Sequence, residues 1–233
     1  MSRLACMTPP EQPAAVGIET GHFPPSPVEA GHTTPCPRRI RAMIGNEWVI
    51  DSTRVIYYWE HPYYPKFLVP LADIRSDALP SEALTSIDSA RPDHRLVSWQ
   101  AVDRWFEEDE EVFVHPRSPY VRADAVRSNR PVRVELSGAV LADAPCSVIV
   151  FETGLPPRYY LDKATIDFSL LTPSNTVTSC PYKGTTSEYW NAVIDGEETP
   201  DIAWSYSFPT VPITPIAGLV AFYDERVELT VGE

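Results

Sequence analysis

Residues 40–74 read IRAMIGNEWVIDSTRVIYYWEHPYYPKFLVPLADI, and residues 132–166 read VRVELSGAVLADAPCSVIVFETGLPPRYYLDKATI. In the first stretch, β-branched and aromatic runs flank the turn formers Gly45-Asn46 and Asp51-Ser52-Thr53, and KFLVPL follows a proline-rich turn from His61 to Pro65. Turn residues between such runs predict antiparallel hairpins. The two stretches align without a gap at an offset of 92, pairing Arg41 with Arg133, Asp51 with Asp143, Glu60 with Glu152, Pro65 with Pro157 and Ile74 with Ile166. Trp59/Phe151, Lys66/Arg158 and Phe67/Tyr159 are conservative pairs between them. This pattern predicts an internal duplication. Two copies of about a hundred residues are too few and too long for a solenoid. The fold class expected is therefore mainly β, with two similar antiparallel domains spanning 38–126 and 127–233.

Residues 1–37 are dominated by Pro, Ala, Gly, Ser and Thr and end in TTPCP. With no hydrophobic period and many prolines, they read as a tail or a surface strap that Ile18 and Phe23 could anchor. Beyond Ile74 the copies diverge. The first passes through a polar stretch into SWQAVDRWFEEDEE, where Ser98 is a plausible N-cap and Trp99, Val102, Trp105 and Phe106 recur at helical spacing. A short amphipathic helix is expected there, its end marked by the acidic run Glu107 to Glu111, which reads as a solvated face. The second copy carries CPYKG and AWSY instead and closes with IAGLVAFYDERVELTV, expected to form a final hairpin.

Composition sets outer bounds. A chain of 233 residues with 43% hydrophobic side chains can build a real core. Its net charge of −13 opposes broad binding to nucleic acid or anionic lipid, both of which need clustered Lys and Arg. No apolar run approaches the ~18 residues needed to span a bilayer, and no secretory leader is legible, so a cytoplasmic protein is expected. Cys6, Cys36, Cys146 and Cys180 form no C-x-x-C pair and read as free thiols. The histidines share no ligand spacing, so no metal and no cofactor is expected. A homo-oligomer is compatible with the sequence.

The segment Thr176 to Tyr206, TVTSCPYKGTTSEYWNAVIDGEETPDIAWSY, concentrates a thiol, a lysine, three tyrosines and two tryptophans among turn formers. Cys180 has Lys183 three residues on, an ammonium placed to favour a thiolate; the rival reading is a buried, inert thiol. Lys183, beside Tyr182, can be desolvated into a base or stay charged and clamp an anion; if charged among apolar walls, its counter-charge is expected to be Glu152 or an anionic ligand. Glu152 ends an apolar strand and reads either as a general acid or base, or as the ion-pair partner of Arg133 or Arg158. Alternation puts Trp204 and Tyr206 on one strand face; with Trp190, Arg158 and Tyr223 they are candidate pocket walls, or simply core. His115, in FVHPRSP, is a candidate base brought in from the first copy.

The second copy, with FETGLPPRYYL, CPYKG, DIAWSY and GLVAFYDERVELTV, together with DRWFEEDEEVFVHPRSPY in the first, resembles the tandem form of the family called domain of unknown function 427. The resemblance implies a β-tent fold, small twisted antiparallel sheets meeting at an angle and related to zinc-binding tents, whose paired cysteines this chain lacks. The family has also been labelled nucleotidyltransferase-like, but the chain has no Gly-rich phosphate loop and no paired-aspartate strand for magnesium.

Two functional classes remain open. One is a metal-independent, non-redox enzyme using acid/base or Lys-assisted lyase, hydrolase or isomerase chemistry on a small polar or anionic metabolite. The other is a non-catalytic module that binds a small molecule or a protein. A pocket is expected over 178–190, with Lys183→Ala abolishing ligand effects at little cost in stability.

Overall fold

The computed structural model describes residues 28–75, 77–87 and 91–232. Cys6, Ile18, His22 and Phe23 lie outside the described residues, as does most of the expected tail. Residues 28–37, also assigned to that tail, belong to the fold. Thr33–Pro35 pairs antiparallel with Ile56–Tyr58, and Val28 and Cys36 are buried. The apolar neighbours of that edge position outweigh the prolines, because Pro35 sits where the strand ends and its missing N–H costs no ladder bond. The described residues divide into two compact units, one within Ser26–Val121 and one within Arg122–Glu233.

The first unit has two sheets. One orders Glu47–Ser52, Ile40–Ile44, Arg104–Glu107 and Glu110–Val112; the other orders Thr33–Pro35, Ile56–Tyr58, Lys66–Pro70, His94–Val97 and Leu84–Thr85. Every pairing is antiparallel. Ile40, Ala42, Val49 and Ile50 from the first sheet meet Tyr57, Phe67 and Val69 from the second, together with Trp59 just past its strand, in one core. Each fully buried aromatic or aliphatic side chain there contributes roughly 1.5–3 kcal/mol. The hairpin turn falls at Gly45-Asn46 as read, with Gly45 at φ +58° where a side chain would be strained.

The expected helix over Trp99 to Phe106 does not form. Trp99–Ala101 makes a single 3-10 turn, the Ser98 side chain gives no cap bond, and Val102 is already extended (φ −131°, ψ 156°). Arg104–Glu107 is a strand whose residues alternate between half-buried and buried. Two tertiary interactions overrode the helical spacing. The free edge of Ile40–Ile44 offered a ladder, and Trp105 packs on Trp99 and Phe67. The acidic run is a hairpin turn rather than a helix stop, with Glu108 at φ +55°. Nor is it wholly solvated, because Glu107 is buried, pairs with Arg38 and accepts from the Arg117 amide at 3.0 Å.

The second unit holds a seven-stranded sheet ordered Ala123–Ser128, Ser147–Glu152, Arg158–Leu161, Val220–Phe222, Glu197–Ser205, Glu188–Ile194 and Leu171–Ser174. A three-stranded sheet orders Ala139–Ala144, Val132–Leu136 and Glu228–Val231, and Ser179–Cys180 with Gly184–Thr185 makes a two-stranded hairpin. The expected closing hairpin is absent among the described residues: Val220–Phe222 and Glu228–Val231 enter different sheets. Period-two alternation buries both faces of the large sheet. Ile149, Tyr159, Leu161, Trp190, Ile202 and Phe222 join Val132, Val134 and Leu141 in one cluster, while Val148, Val150, Tyr160, Tyr189, Trp204 and Tyr206 pack with Ile213 and Ile216 in another. Among the described residues no helix is long and apolar enough to cross a membrane. Cys36 and Cys180 are free thiols, but Cys146, also read as free, is disulfide-bonded.

Candidate functional site

The CPYKG segment is a small hairpin whose ends are locked by hydroxyls. Thr178 N–H donates to Thr186 Oγ1 at 2.8 Å, Thr186 N–H donates to the Thr178 carbonyl at 2.9 Å, and the Ser179 and Thr185 hydroxyls meet at 2.9 Å. Gly184 closes the turn at φ +94°, and a Cβ there would stand 3.4 Å from the Phe208 carbonyl. Only glycine meets both demands without strain. The segment 208–210 straps the turn, with Thr210 donating through its hydroxyl to the Tyr182 carbonyl and through its amide to the Lys183 carbonyl.

From this turn Lys183 Nζ reaches Glu152 Oε2 at 2.5 Å, the two side chains being 15% and 11% exposed. Glu152 stands at the end of Ser147–Glu152, whose ladder partners are Ala123–Ser128 and Arg158–Leu161. Its partner is therefore Lys183 and not the arginines. Arg133 pairs with Glu135 and Asp143, and Arg158 with Asp224 and Glu225. Arg158 forks onto Glu225 at 2.8 and 3.1 Å and lies over the rings of Trp204 (5.5 Å) and Tyr223 (5.8 Å). Burial pushes the Glu225 carboxyl up, but the Arg158 hydrogen bond outweighs it and holds the group below its usual range.

Trp204 joins this arrangement through Tyr223, their ring centroids 4.3 Å apart. Trp204 and Tyr206 are 6% and 3% exposed and belong to the core cluster of this sheet face. They back the site as packed core aromatics, one of the two readings that their strand positions left open. Two tyrosines the sequence reading passed over complete the wall. Tyr189 stands opposite Trp204 in the ladder, and its hydroxyl meets those of Thr178 (3.0 Å) and Tyr223 (3.1 Å). Tyr160 is fully buried with its hydroxyl unbonded among the described residues. The signal for Tyr189 was its odd-even position in Glu188–Ile194, which sets it on the Trp204 side. Burial raises the pKa of Tyr160, Tyr189 and Tyr206, so these phenols stay protonated and can donate but not act as bases.

Trp190 is not part of this site. Next to Tyr189 on the strand it faces the opposite side, where it packs on Phe168 at 5.6 Å and lies under Lys163 Nζ at 5.3 Å. Tyr182 is half-buried in the turn, and Cys180 is half-buried on the first arm of the hairpin. His115 belongs to the first unit, where its ring stacks on Tyr64 at 4.1 Å and 11° and its Nδ1–H donates to the Pro116 carbonyl at 2.8 Å. There it lines a cavity of about 320 Å³ together with Lys66, Thr85, Trp99 and Trp105. Nothing in the chain's motifs pointed to that cavity. Among the described residues no three His, Cys, Asp or Glu side chains converge as metal ligands would.

A buried lysine–carboxylate pair beside protonated phenols can hold an anion at the ammonium while the carboxylate takes a proton. The second unit is thus a mainly β domain with an aromatic-walled ion pair at a strapped hairpin. Residues 124–233 match the model of the family described as Domain of unknown function (DUF427), which supports membership of that family for this unit. No curated protein matches the chain.

Proposed function

We propose that the second unit is a metal-independent acid/base catalyst acting on a small anionic metabolite, with Lys183 and Glu152 as the working pair. The observation that carries this reading is the 2.5 Å contact between them in a nearly enclosed setting. An anionic substrate that takes the Lys183 ammonium as its partner releases Glu152, whose carboxylate can then accept a proton from carbon or oxygen. The ammonium would stabilise negative charge developing on a neighbouring substrate oxygen, and the Tyr189 hydroxyl would supply a neutral donor. Lyase and isomerase chemistry both begin with such a step. Cys180 needs no role in it.

The two units descend, on this account, from an internal duplication of a β-tent-like domain. The support is register. The bridge Ile50 to Ile74 recurs as Ala142 to Ile166, and the bulge after Ala42 recurs after Val134, each displaced by 92 residues. Lys66 with Glu60 in the first unit answers to Arg158 and Glu152 in the second, where Lys183 has taken over the carboxylate. The second copy inserts the strands from Leu171–Ser174 through Glu188–Ile194 and with them the catalytic hairpin.

A non-catalytic binding module remains the alternative, favoured by one observation: the first unit has an aromatic-lined cavity. A thermal-shift panel of small carboxylates, phosphates and neutral analogues on wild type, Lys183→Met and Glu152→Gln separates the two. A catalyst should show anion-selective stabilisation lost in Lys183→Met, with turnover lost in Glu152→Gln while binding survives. Stabilisation by anions that persists in Lys183→Met removes the pair from the function.

A further inference from the structure

The cavity in the first unit lies beside a row of residues that has a counterpart in the second. In the second unit Trp204 stands opposite Ala221, which stands opposite Tyr160. In the first unit the same three-strand row reads Thr85 opposite Leu96 opposite Leu68. A threonine thus occupies the row position that a tryptophan fills in the other unit, and that threonine lines the cavity. The cavity of about 320 Å³ is walled by flat rings. Trp99 and Trp105 stack at 5.2 Å and 20°, Phe67 lies 5.3 Å from Trp105, and Tyr64 and His115 stack at 4.1 Å and 11°.

These walls are held from behind, so they are preformed. Trp105 Nε1–H donates to the Trp99 carbonyl at 3.0 Å, and the His115 Nδ1–H bond to Pro116 fixes that ring's tautomer. Burial lowers the His115 pKa, so the ring is a neutral, flat surface at neutral pH. Lys66 is the one lysine or arginine among the lining residues, which include no Asp or Glu. Among the described residues Lys66 pairs with the exposed Glu60, a pairing of small worth that a better-placed carboxylate can replace. A volume near the lower end of the roughly 300–1,000 Å³ range of ligand clefts suits one bicyclic ring system and excludes larger cofactors.

We propose that the first unit binds a planar aromatic carboxylate in this cavity, its ring among Phe67, Trp99, Trp105 and Tyr64 and its carboxylate on Lys66. The site is distinct from the Lys183–Glu152 pair and stands or falls independently of it.

The test is titration of the full chain with 2-naphthoate, its neutral isostere 2-naphthamide and the cation 2-naphthylmethylammonium, followed by calorimetry and by the indole NMR signals. Wild type should bind 2-naphthoate saturably, the amide more weakly and the cation least. Thr85→Trp, which imports the side chain that fills the equivalent row, should weaken 2-naphthoate at least about tenfold, since a filled cavity has no room for the ring. Lys66→Gln should weaken 2-naphthoate by about three- to tenfold and leave 2-naphthamide unchanged. Lys183→Met should bind as wild type does. No saturable binding, equal binding of all three probes, or a loss that follows Lys183→Met would overturn the proposal. Because Lys66→Gln changes only a half-exposed side chain, it decides the charge assignment even if Thr85→Trp disturbs folding.

Discussion

Replacing Lys183 by methionine keeps the aliphatic stem and deletes the ammonium, leaving the Glu152 carboxylate without its counter-charge. Removing one member of a fully buried pair costs about 3–5 kcal/mol, and the 15% and 11% residual exposure of these two lets water recover part of that, so about 2–4 kcal/mol is expected. This reverses the expectation from sequence that lysine removal would be cheap. Glu152→Gln should cost less than Lys183→Met, because the amide oxygen can still accept a hydrogen bond from the ammonium that loses its counter-charge. The double variant should then be less destabilised than the sum of the singles, by about 1–3 kcal/mol. Urea unfolding read at the indole signals of Trp190 and Trp204 follows the second unit separately from the first. A coupling under about 0.5 kcal/mol would refute the account of a strongly interacting pair.

Gly184→Ala should destabilise the hairpin by about 1–2 kcal/mol through strain at φ +94°, seen as faster amide exchange at Thr178 and Thr186; unchanged protection would contradict it. Arg158→Lys should lose the two-pronged bond to Glu225 and cost about 1 kcal/mol, while raising the Glu225 carboxyl pKa by NMR. His115 has its pKa held below the ordinary 6.5 by burial, so the stability it contributes is complete above pH 6.5 and is lost as pH falls through its lower folded value. A His115 imidazole titration midpoint at or above 6.5 would contradict that, and His115→Gln should flatten this part of the stability profile.

Much of the β architecture was legible because turn residues and alternation are local signals. Gly45-Asn46 marks its hairpin, and the odd-even pattern of Ser147–Glu152 places Glu152 on the same face as Val148 and Val150. Trp99 to Phe106 misled because aromatic residues three and four apart suit a helix and a twisted turn-strand equally, and the choice was made by the free edge of Ile40–Ile44, a non-local partner. The pairing of Glu152 with Lys183 was legible as one of several readings, because an ammonium held among apolar walls needs a counter-charge and its motif has no adjacent acid. Lys183 is 31 residues away in sequence and arrives on an inserted hairpin. Trp190 was grouped with Trp204 by composition, although adjacent residues on a strand face opposite ways and Tyr189 is the one that shares the Trp204 side. The cavity of the first unit was invisible for a further reason. Its lining comes from stretches far apart in sequence, around Lys66, Thr85, Trp99, Trp105 and His115, so no local motif marks it.

The central claim, that Glu152 abstracts a proton from a small anion held by Lys183, can be tested without knowing the substrate. Protein in deuterated buffer is incubated with a panel of 2-oxo, 3-oxo and hydroxy carboxylates, and proton NMR follows solvent deuterium entering carbon positions next to the carbonyl or carboxylate. The account predicts enzyme-dependent exchange into at least one panel member, abolished by Glu152→Gln, strongly reduced by Lys183→Met and unaffected by Thr85→Trp. Exchange that survives Glu152→Gln, or none across the panel from a wild-type protein that those anions stabilise, would contradict it.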